Sequence, residues 1–171
     1  MTDLPRTGEI GEEMTEHIRE KEKFYQELLE EGSALIQGER DWIANFSNIS
    51  ALLYQRLDNI NWAGFYLLKE EQLVLGPFQG KPACIRIALG RGVCGTAAIE
   101  RQSQVVEDVH AFPGHIACDS ASNSEIVVPL IQEGKLIGVL DVDSPILHRF
   151  DQVDKKYLEE LAGILLLGCD F

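Results

Sequence analysis

Apolar residues recur at intervals of three and four in three parts of the chain. The segment from Glu12 to about Gln37 is strongly helix-forming and has a densely charged opposite face. The spacing is also helical from about Asp41 to Arg56 and from Asp151 to about Gly168, and an aspartate starts each of these two segments. We therefore predict three helices, of which the second and third are capped by Asp41 and Asp151.

Between the second and third helices the apolar pattern becomes that of strands and hairpins. The predicted strands are Asn61 to Lys69, Gln72 to Phe78, Cys84 to Leu89, Gln104 to Glu107, Glu125 to Ile131 and Leu136 to Asp143, with a short helix at Val93 to Arg101. This order predicts an α+β fold, in which a mostly antiparallel sheet is flanked by N-terminal and C-terminal helices. No repeat or linker divides the sequence, so we expect residues 1–171 to form a single domain, with residues 1–39 as an N-terminal helical extension.

The segment from Asp108 to Ser124 carries almost no periodic apolar signal. It has 17 residues, and irregular loops of that length inside a compact domain are usually functional or disordered. Cys118 stands in this loop among polar neighbours, an environment that favours thiolate chemistry. An inert structural cysteine is the alternative interpretation.

The net charge of the chain indicates which classes of binding partner are unfavourable. The 171 residues carry 15 Lys and Arg against 28 Asp and Glu, a formal net charge of −13, which argues against a nucleic-acid partner. No apolar run approaches the ~20 residues that span a bilayer, and residues 1–11 contain no signal-peptide core, so we expect a cytoplasmic protein without membrane contact. In a reducing compartment the four cysteines, Cys84, Cys94, Cys118 and Cys169, do not indicate a structural disulfide framework.

Residues 90–95 match the dinucleotide-binding pattern G-x-G-x-x-G between a strand and a helix. Dinucleotide binding is disfavoured, because the following helix is short and the preceding strands form hairpins where a parallel βαβ unit is needed. The alternative is that these glycines turn the chain and let the helix pack closely on the sheet. Cys94 lies near the N-terminus of that helix, where the helix dipole lowers a thiol pKa, although simple packing explains Cys94 equally well.

A zinc site in the long loop is another interpretation. The residues His110, His115, Cys118 and Asp119 are of types that bind zinc. No Cys-x-x-Cys pair and no histidine pair at helical spacing accompanies them. We therefore predict no metal site, and a metal-binding regulator is a disfavoured class of function.

The last two strands form a hairpin that gathers three acidic residues. With a three-residue loop at residues 133–135, paired positions sum to 268, which sets Glu125 opposite Asp143 and Val127 opposite Asp141. A two-residue loop would shift this register by one. Asp141 and Asp143 are two residues apart in a strand, so they share a face at roughly 7 Å from one another.

No lysine or arginine lies between Lys135 and Arg149 to neutralise these carboxylates. Such crowding is destabilising unless the carboxylates are well solvated, bind a cation or ammonium, or hold a proton. A solvated sheet edge and an ammonium site with a shared proton are both open interpretations, and burial of the carboxylates would favour the second.

Trp62 and Tyr66 lie on one face of a predicted strand with Gly64 between them. Two aromatic side chains that flank a glycine leave a hollow with apolar walls, which suits an aliphatic or thioether group. Core packing is the other explanation for such a pair.

Five segments together resemble one enzyme family. They are Asn61–Tyr66, Gly76–Cys84, Gly92–Gly95, His115–Asp119 and Asp141–Ser144. Taken together, these segments closely resemble the free methionine-(R)-sulfoxide reductases, small enzymes built on a GAF domain. The resemblance covers about residues 40 to 168 and leaves Cys169 without a role.

This resemblance implies reduction of free methionine-(R)-sulfoxide to methionine through a cysteine sulfenic acid and an intramolecular disulfide, which thioredoxin reduces, without a cofactor. The implied catalytic residues are Cys118 as the nucleophile, Cys84 as the resolving thiol and Cys94 as an auxiliary thiol. The implied substrate-binding residues are Trp62 and Tyr66, which wall the pocket, and Glu125, Asp141 and Asp143, which hold the ammonium group and manage the proton. The family also implies a homodimer through the terminal helices, and a non-catalytic, ligand-sensing GAF domain is the alternative function.

Overall fold

The computed structural model describes residues 7–114 and 119–171, and their side chains from residue 14 onward. The helices are α1 (Thr7–Ile36), α2 (Trp42–Arg56), α3 (Gly92–Glu100) and α4 (Gln152–Leu167). The strands are β1 (Trp62–Lys69), β2 (Gln72–Gly80), β3 (Arg86–Ala88), β4 (Gln104–Val106), β5 (Ser124–Gln132) and β6 (Lys135–Ser144). Every predicted element is present.

The strands form one six-stranded sheet in the order β3-β2-β1-β6-β5-β4. Each pair of neighbours is antiparallel. The α+β prediction is thus confirmed, and the absence of parallel neighbours in this sheet agrees with the exclusion of a dinucleotide-binding βαβ unit. The order places β1 beside β6 at the centre, so the residues of the first and last strands meet on one surface.

Helices α2 and α4 begin at the predicted aspartate caps, Asp41 and Asp151. The Asp41 carboxylate accepts a hydrogen bond from the backbone N–H of Ala44 at 3.0 Å. The Asp151 carboxylate accepts from the N–H groups of Val153 and Asp154, and Asp154 accepts in return from the Asp151 N–H at 2.7 Å. These contacts satisfy N–H groups that a helix leaves unpaired at its start.

Helices α2 and α4 cover one face of the sheet, and α1 packs against both of these helices. The core there includes Phe46 and Phe65, whose ring centroids lie 4.2 Å apart, and the fully buried Leu53, Leu140 and Leu161. A buried carboxylate ties α1 to α4: Asp154 accepts from the Tyr25 hydroxyl at 2.7 Å and pairs with Lys21 and Arg149. Polar groups so deeply buried are stable only when they are paired in this way.

Helix α3 covers part of the opposite face. Its residues Val93 and Ala97 are buried in a second core with Val127 and Val139. A Cβ atom on Gly95 would lie 2.5 Å from the Ala88 carbonyl oxygen, so glycine there lets α3 approach the sheet. This close approach confirms the packing interpretation of the glycine-rich motif.

The β5–β6 hairpin has the predicted register but a different turn. Gln132 pairs with Lys135 across a two-residue turn, and a register shift between Leu130 and Ile131 follows. That irregularity compensates for the shorter turn, so Glu125 still pairs with Asp143 as predicted.

Two other segments differ from the prediction. Strand β3 has three residues where six were predicted. Cys84 lies before it, and its carbonyl accepts a hydrogen bond from the Tyr66 hydroxyl. In the long loop, a short 3-10 helix at Val109–Ala111 is capped by Asp108. None of the helices in the described part of the chain is both long and apolar enough for a membrane span.

Candidate active site

A pocket lies between helix α3 and the face of the sheet that carries the acidic residues. It encloses about 460 Å³ of space, a figure that includes the part open to solvent. Its lining residues are Trp62, Tyr66, Ala83, Ile87, Arg91, Gly92, Val93, Cys94, Asp119, Ser122, Glu125, Asp141 and Asp143. Of the predicted site residues that the structure describes, all except Cys84 are therefore brought together in one pocket.

The three predicted carboxylates gather on its floor. Asp143 on β6 pairs with both Glu125 on β5 and Trp62 on β1, and Asp141 pairs with Gly64. Glu125 and Asp141 are each only 6% exposed. No lysine or arginine of the described residues forms an ion pair with any of the three, so the solvated-edge interpretation is wrong for Glu125 and Asp141.

Burial favours the protonated form of these carboxylates. It raises the pKa of Asp141 from its usual 3.8 to about 7. Burial and the charges of the neighbouring carboxylates raise the pKa of Glu125, and the same two causes raise that of the partly exposed Asp143. The cluster therefore retains at least one proton near neutral pH, shared among interacting groups.

Cys94 lies in the first turn of α3 beside these carboxylates. Its Sγ is 3.8 Å from the Glu125 Oε1, within hydrogen-bond distance for sulfur. Burial, followed by the charges of Asp141 and Glu125, raises the pKa of the Cys94 thiol. The surroundings thus outweigh the helix dipole, and Cys94 is a neutral thiol at neutral pH.

Trp62 and Tyr66 form the aromatic wall. Their ring centroids are 5.9 Å apart and their planes differ by 24°. The Trp62 indole N–H donates to the Lys81 carbonyl at 3.2 Å, and the Tyr66 hydroxyl donates to the Cys84 carbonyl at 2.9 Å. These bonds fix both rings and join the wall to the segment that carries Cys84.

The prediction of an open space over Gly64 is wrong. A Cβ atom on Gly64 would lie 2.3 Å from the Cβ of Phe78, so the neighbouring strand β2 fills this space. Phe78 itself stacks on Trp62 with centroids 5.2 Å apart. The open volume instead lies toward α3 and the carboxylates, and the two aromatic rings border it from the side.

A polar network at the edge of the pocket contains residues that the sequence patterns did not identify. The Asn61 amide donates to the Ser122 hydroxyl at 3.1 Å and to the Asp119 carboxylate at 3.3 Å. Lys81 reaches Asp119 at 3.4 Å. The Ala121 N–H, through its hydrogen bond, holds the pKa of Asp119 below its usual value. The sequence had offered Asp119 only as a possible zinc ligand, and the polar residues that follow Cys118 had pointed to a polar environment but not to these contacts.

The cysteines occupy three different environments. Cys84 is disulfide-bonded, whereas Cys94 and Cys169 are free thiols. Cys169 lies apart from the pocket, buried against α2, with its Sγ 3.6 Å from the Asn45 amide nitrogen. Cys118, the predicted nucleophile, and His115, one of the residues weighed for zinc, lie outside the described residues.

Comparison with known proteins identifies the family. A family model described as the GAF domain matches residues 44–166. The free methionine-R-sulfoxide reductase of Escherichia coli (strain K12) is 57% identical over 145 residues, which cover 85% of this chain and 88% of that protein. The chain belongs to the GAF-domain family of free methionine-R-sulfoxide reductases. It is therefore an oxidoreductase.

Solved structures of this reductase family have the same fold. The fRMsr of Staphylococcus aureus in complex with its substrate is 55% identical, with a TM-score of 0.81 over 84% of this chain and 94% of that one. The free methionine-R-sulfoxide reductase of Neisseria meningitidis in complex with its substrate is 49% identical, with a TM-score of 0.84 over 86% and 89% of the two chains. The predicted family and its GAF fold are both confirmed.

Proposed function

We propose that this chain reduces free methionine-R-sulfoxide to methionine. The observation that carries the proposal is the cluster of Glu125, Asp141 and Asp143, which lies without ion-pair partners among the described residues, in a pocket with an aromatic wall. A buried anionic cluster of this kind requires a proton or a cation, and a free amino acid supplies an ammonium group. The substrate complexes of the relatives support the same substrate.

The pocket accounts for selection of the free amino acid. The α-ammonium group of the substrate binds to the carboxylates, and its methylsulfinyl side chain lies along Trp62 and Tyr66. A methionine sulfoxide residue inside a polypeptide has an amide in place of the ammonium group, so it leaves the carboxylates without a charge partner. Buried polar groups that lose their partner make such discrimination strong.

The chemical step uses a cysteine and a proton donor. The Cys118 thiolate attacks the sulfoxide sulfur, and a carboxyl of the cluster protonates the sulfoxide oxygen so that the S–O bond can break. The oxygen ends on the sulfur of Cys118 as a sulfenic acid, and methionine leaves as the thioether. The methionine sulfur gains two electrons and Cys118 loses them. The raised pKa of Asp141, about 7, supports a protonated carboxyl at neutral pH.

A second thiol completes the cycle. The Cys84 thiol attacks the sulfenic acid, releases water and forms a disulfide with Cys118, which protects the nucleophile from further oxidation. That Cys84 is disulfide-bonded supports its role as the resolving thiol. Thioredoxin, the proposed reductant, returns both cysteines to thiols by disulfide exchange. Cys94 is the auxiliary thiol, and its neutral form at neutral pH argues against a role in the initial attack.

Two properties of the whole molecule belong to the same proposal. We infer a cytoplasmic location, because the cysteine chemistry requires a thioredoxin-type reductant. We also infer a homodimer through the terminal helices, supported by the exposed side chains of Ile43, Leu167 and Phe171. Light scattering of the purified protein tests the dimer, and a monomeric mass would contradict it.

The deciding experiment supplies thioredoxin, thioredoxin reductase and reduced nicotinamide cofactor and then adds each methionine sulfoxide epimer separately. We expect cofactor oxidation with the R epimer and none in the Cys118→Ser variant. Cys169→Ser is the matched control, because Cys169 lies outside the pocket, and it should retain full activity. Binding of the R epimer without turnover would instead support a sensing domain.

A further inference from the structure

Cys94, Glu125 and Asp141 form a compact group of ligand atoms. One ligand atom from each residue lies within 4.8 Å of the others, and all three residues are buried. Helix α3 supplies the sulfur, and the adjacent strands β5 and β6 supply the two oxygens. The first step of the proposed reduction uses the carboxylates but not the sulfur of Cys94. The proposed reduction therefore does not explain why this thiol lies beside two carboxylates.

The distance between the sulfur and one carboxylate oxygen is close to that around a tetrahedral zinc ion. Zinc binds thiolate sulfur at about 2.3 Å and carboxylate oxygen at about 2.0–2.2 Å, so a sulfur and an oxygen on one zinc ion lie about 3.6 Å apart. The Cys94 Sγ and the Glu125 Oε1 are 3.8 Å apart. Shifts of a few tenths of an ångström would therefore bring these atoms to ligand positions.

A separate observation is that one buried oxygen of the group lacks a hydrogen-bond partner among the described residues. Asp141 is 6% exposed and lines the pocket, yet its Oδ1 is buried and accepts no hydrogen bond from the described residues. A buried carboxylate oxygen in this state needs a donor or a cation. The mixture of sulfur and oxygen ligands favours zinc, because calcium and magnesium prefer ligand sets made of oxygen alone.

We propose that Cys94, Glu125 and Asp141 bind a zinc ion. The three side chains supply three ligands, and the fourth position faces the pocket, where water or a small ligand completes the tetrahedron. Binding displaces the Cys94 thiol proton to solvent and involves no electron transfer. This site is distinct from the loop residues His110, His115, Cys118 and Asp119, which were considered for zinc in the sequence.

Zinc and the substrate would compete for the pocket. The ion occupies Glu125 and Asp141, the carboxylates that the proposed function assigns to the ammonium group, so both cannot bind at once. This consequence rests on the proposed function, whereas the zinc site itself does not. Zinc would thus be a reversible inhibitor of the reductase, and its removal by a chelator would restore activity.

The test uses the oxidised full-length protein, in which Cys84 is held in its disulfide and peptide mapping confirms that Cys94 and Cys169 are the free thiols. Zinc is titrated in competition with a chromophoric chelator. We expect one ion per chain in the unmodified protein and in Cys169→Ser, the matched control with the other buried thiol replaced. We expect Cys94→Ser and Asp141→Asn each to bind zinc at least about 10- to 100-fold more weakly, because loss of a ligand costs no less affinity than loss of a group that only supports a ligand.

Equal zinc affinity in the unmodified protein and in correctly folded Cys94→Ser would overturn the proposal. Cobalt provides a second readout that needs no variant: thiolate-to-cobalt charge-transfer absorption supports the site, and cobalt binding without this absorption contradicts it. Addition of methionine-R-sulfoxide should weaken zinc binding. Cys94-dependent zinc binding that the substrate does not affect would retain the zinc site and contradict the proposed ammonium site.

Discussion

Glu125 on β5 lies directly opposite Asp143 on β6, so two acidic residues occupy one cross-strand pair. Like charges in this arrangement destabilise a sheet. The structure keeps Asp141 on the same face and places the neutral thiol of Cys94 beside Glu125. No lysine or arginine among the described residues forms an ion pair with these carboxylates. This arrangement supports the proposed ammonium site, in which a positive group would offset the repulsion that destabilises the empty sheet.

Asp143→Asn tests whether this pair serves binding or folding. The amide keeps the shape and removes the charge, so we expect KM for methionine-R-sulfoxide to rise about 10- to 100-fold, the value of one hydrogen bond to a charged group. The melting temperature should stay the same or rise, because repulsion with Glu125 is relieved. Steady-state kinetics and thermal unfolding check both quantities. Unchanged kinetics with a lower melting temperature would make Asp143 a structural residue.

The raised pKa of Asp141 predicts a pH-dependent stability. The folded protein favours the protonated carboxyl, so its stabilising contribution is complete below the unfolded pKa of about 3.8 and is lost as the pH rises through about 7. As the pH rises from about 3.8 to about 7, the unfolding free energy of the unmodified protein should therefore fall relative to that of the Asp141→Asn variant. The slope for one proton is at most about 1.4 kcal/mol per pH unit. Denaturant titrations of both proteins at several pH values measure this slope. If the plots of unfolding free energy against pH were parallel for the two proteins, the pKa of Asp141 would not be raised.

The proposed catalytic cycle predicts a disulfide that can be trapped. Limiting substrate without reductant should yield a Cys84–Cys118 disulfide, because the resolving thiol reacts with the sulfenic acid as soon as it forms. Peptide mass mapping of the product identifies the pair, and Cys169→Ser should give the same result. A product that contains only a Cys94–Cys118 disulfide would assign the resolving role to Cys94.

The carboxylate site was predictable because strand pairing is periodic. Residues two apart on β6 must share a face, and the hairpin register then sets Glu125 against Asp143. The predicted three-residue turn was wrong, but the shift between Leu130 and Ile131 preserved the register beyond it. Burial of the carboxylates was left open, because it depends on α3, whose position over the sheet no local pattern specifies.

The aromatic wall and the pocket edge show what sequence patterns leave out. Trp62 and Tyr66 were placed correctly on one face, but the space beside Gly64 belongs to Phe78 on β2, a contact between strands. The bonds from Asn61 to Asp119 and Ser122 join residues about sixty positions apart. Irregular loops carry no periodicity, so only the folded structure relates such residues.

The close contact between α3 and the sheet gives a last prediction, on the position of Cys94. In Gly95→Ala the new methyl group would lie 2.5 Å from the Ala88 carbonyl oxygen, and rigid backbone there must move. We expect a loss of about 1–3 kcal/mol in unfolding free energy and a raised KM, since the shift displaces the adjacent Cys94. Gly163→Ala is the matched control in α4, where nothing lies within 4 Å of the added atom, and it should stabilise the protein by up to about 1 kcal/mol. Similar stability in both variants would show that α3 does not need its close approach.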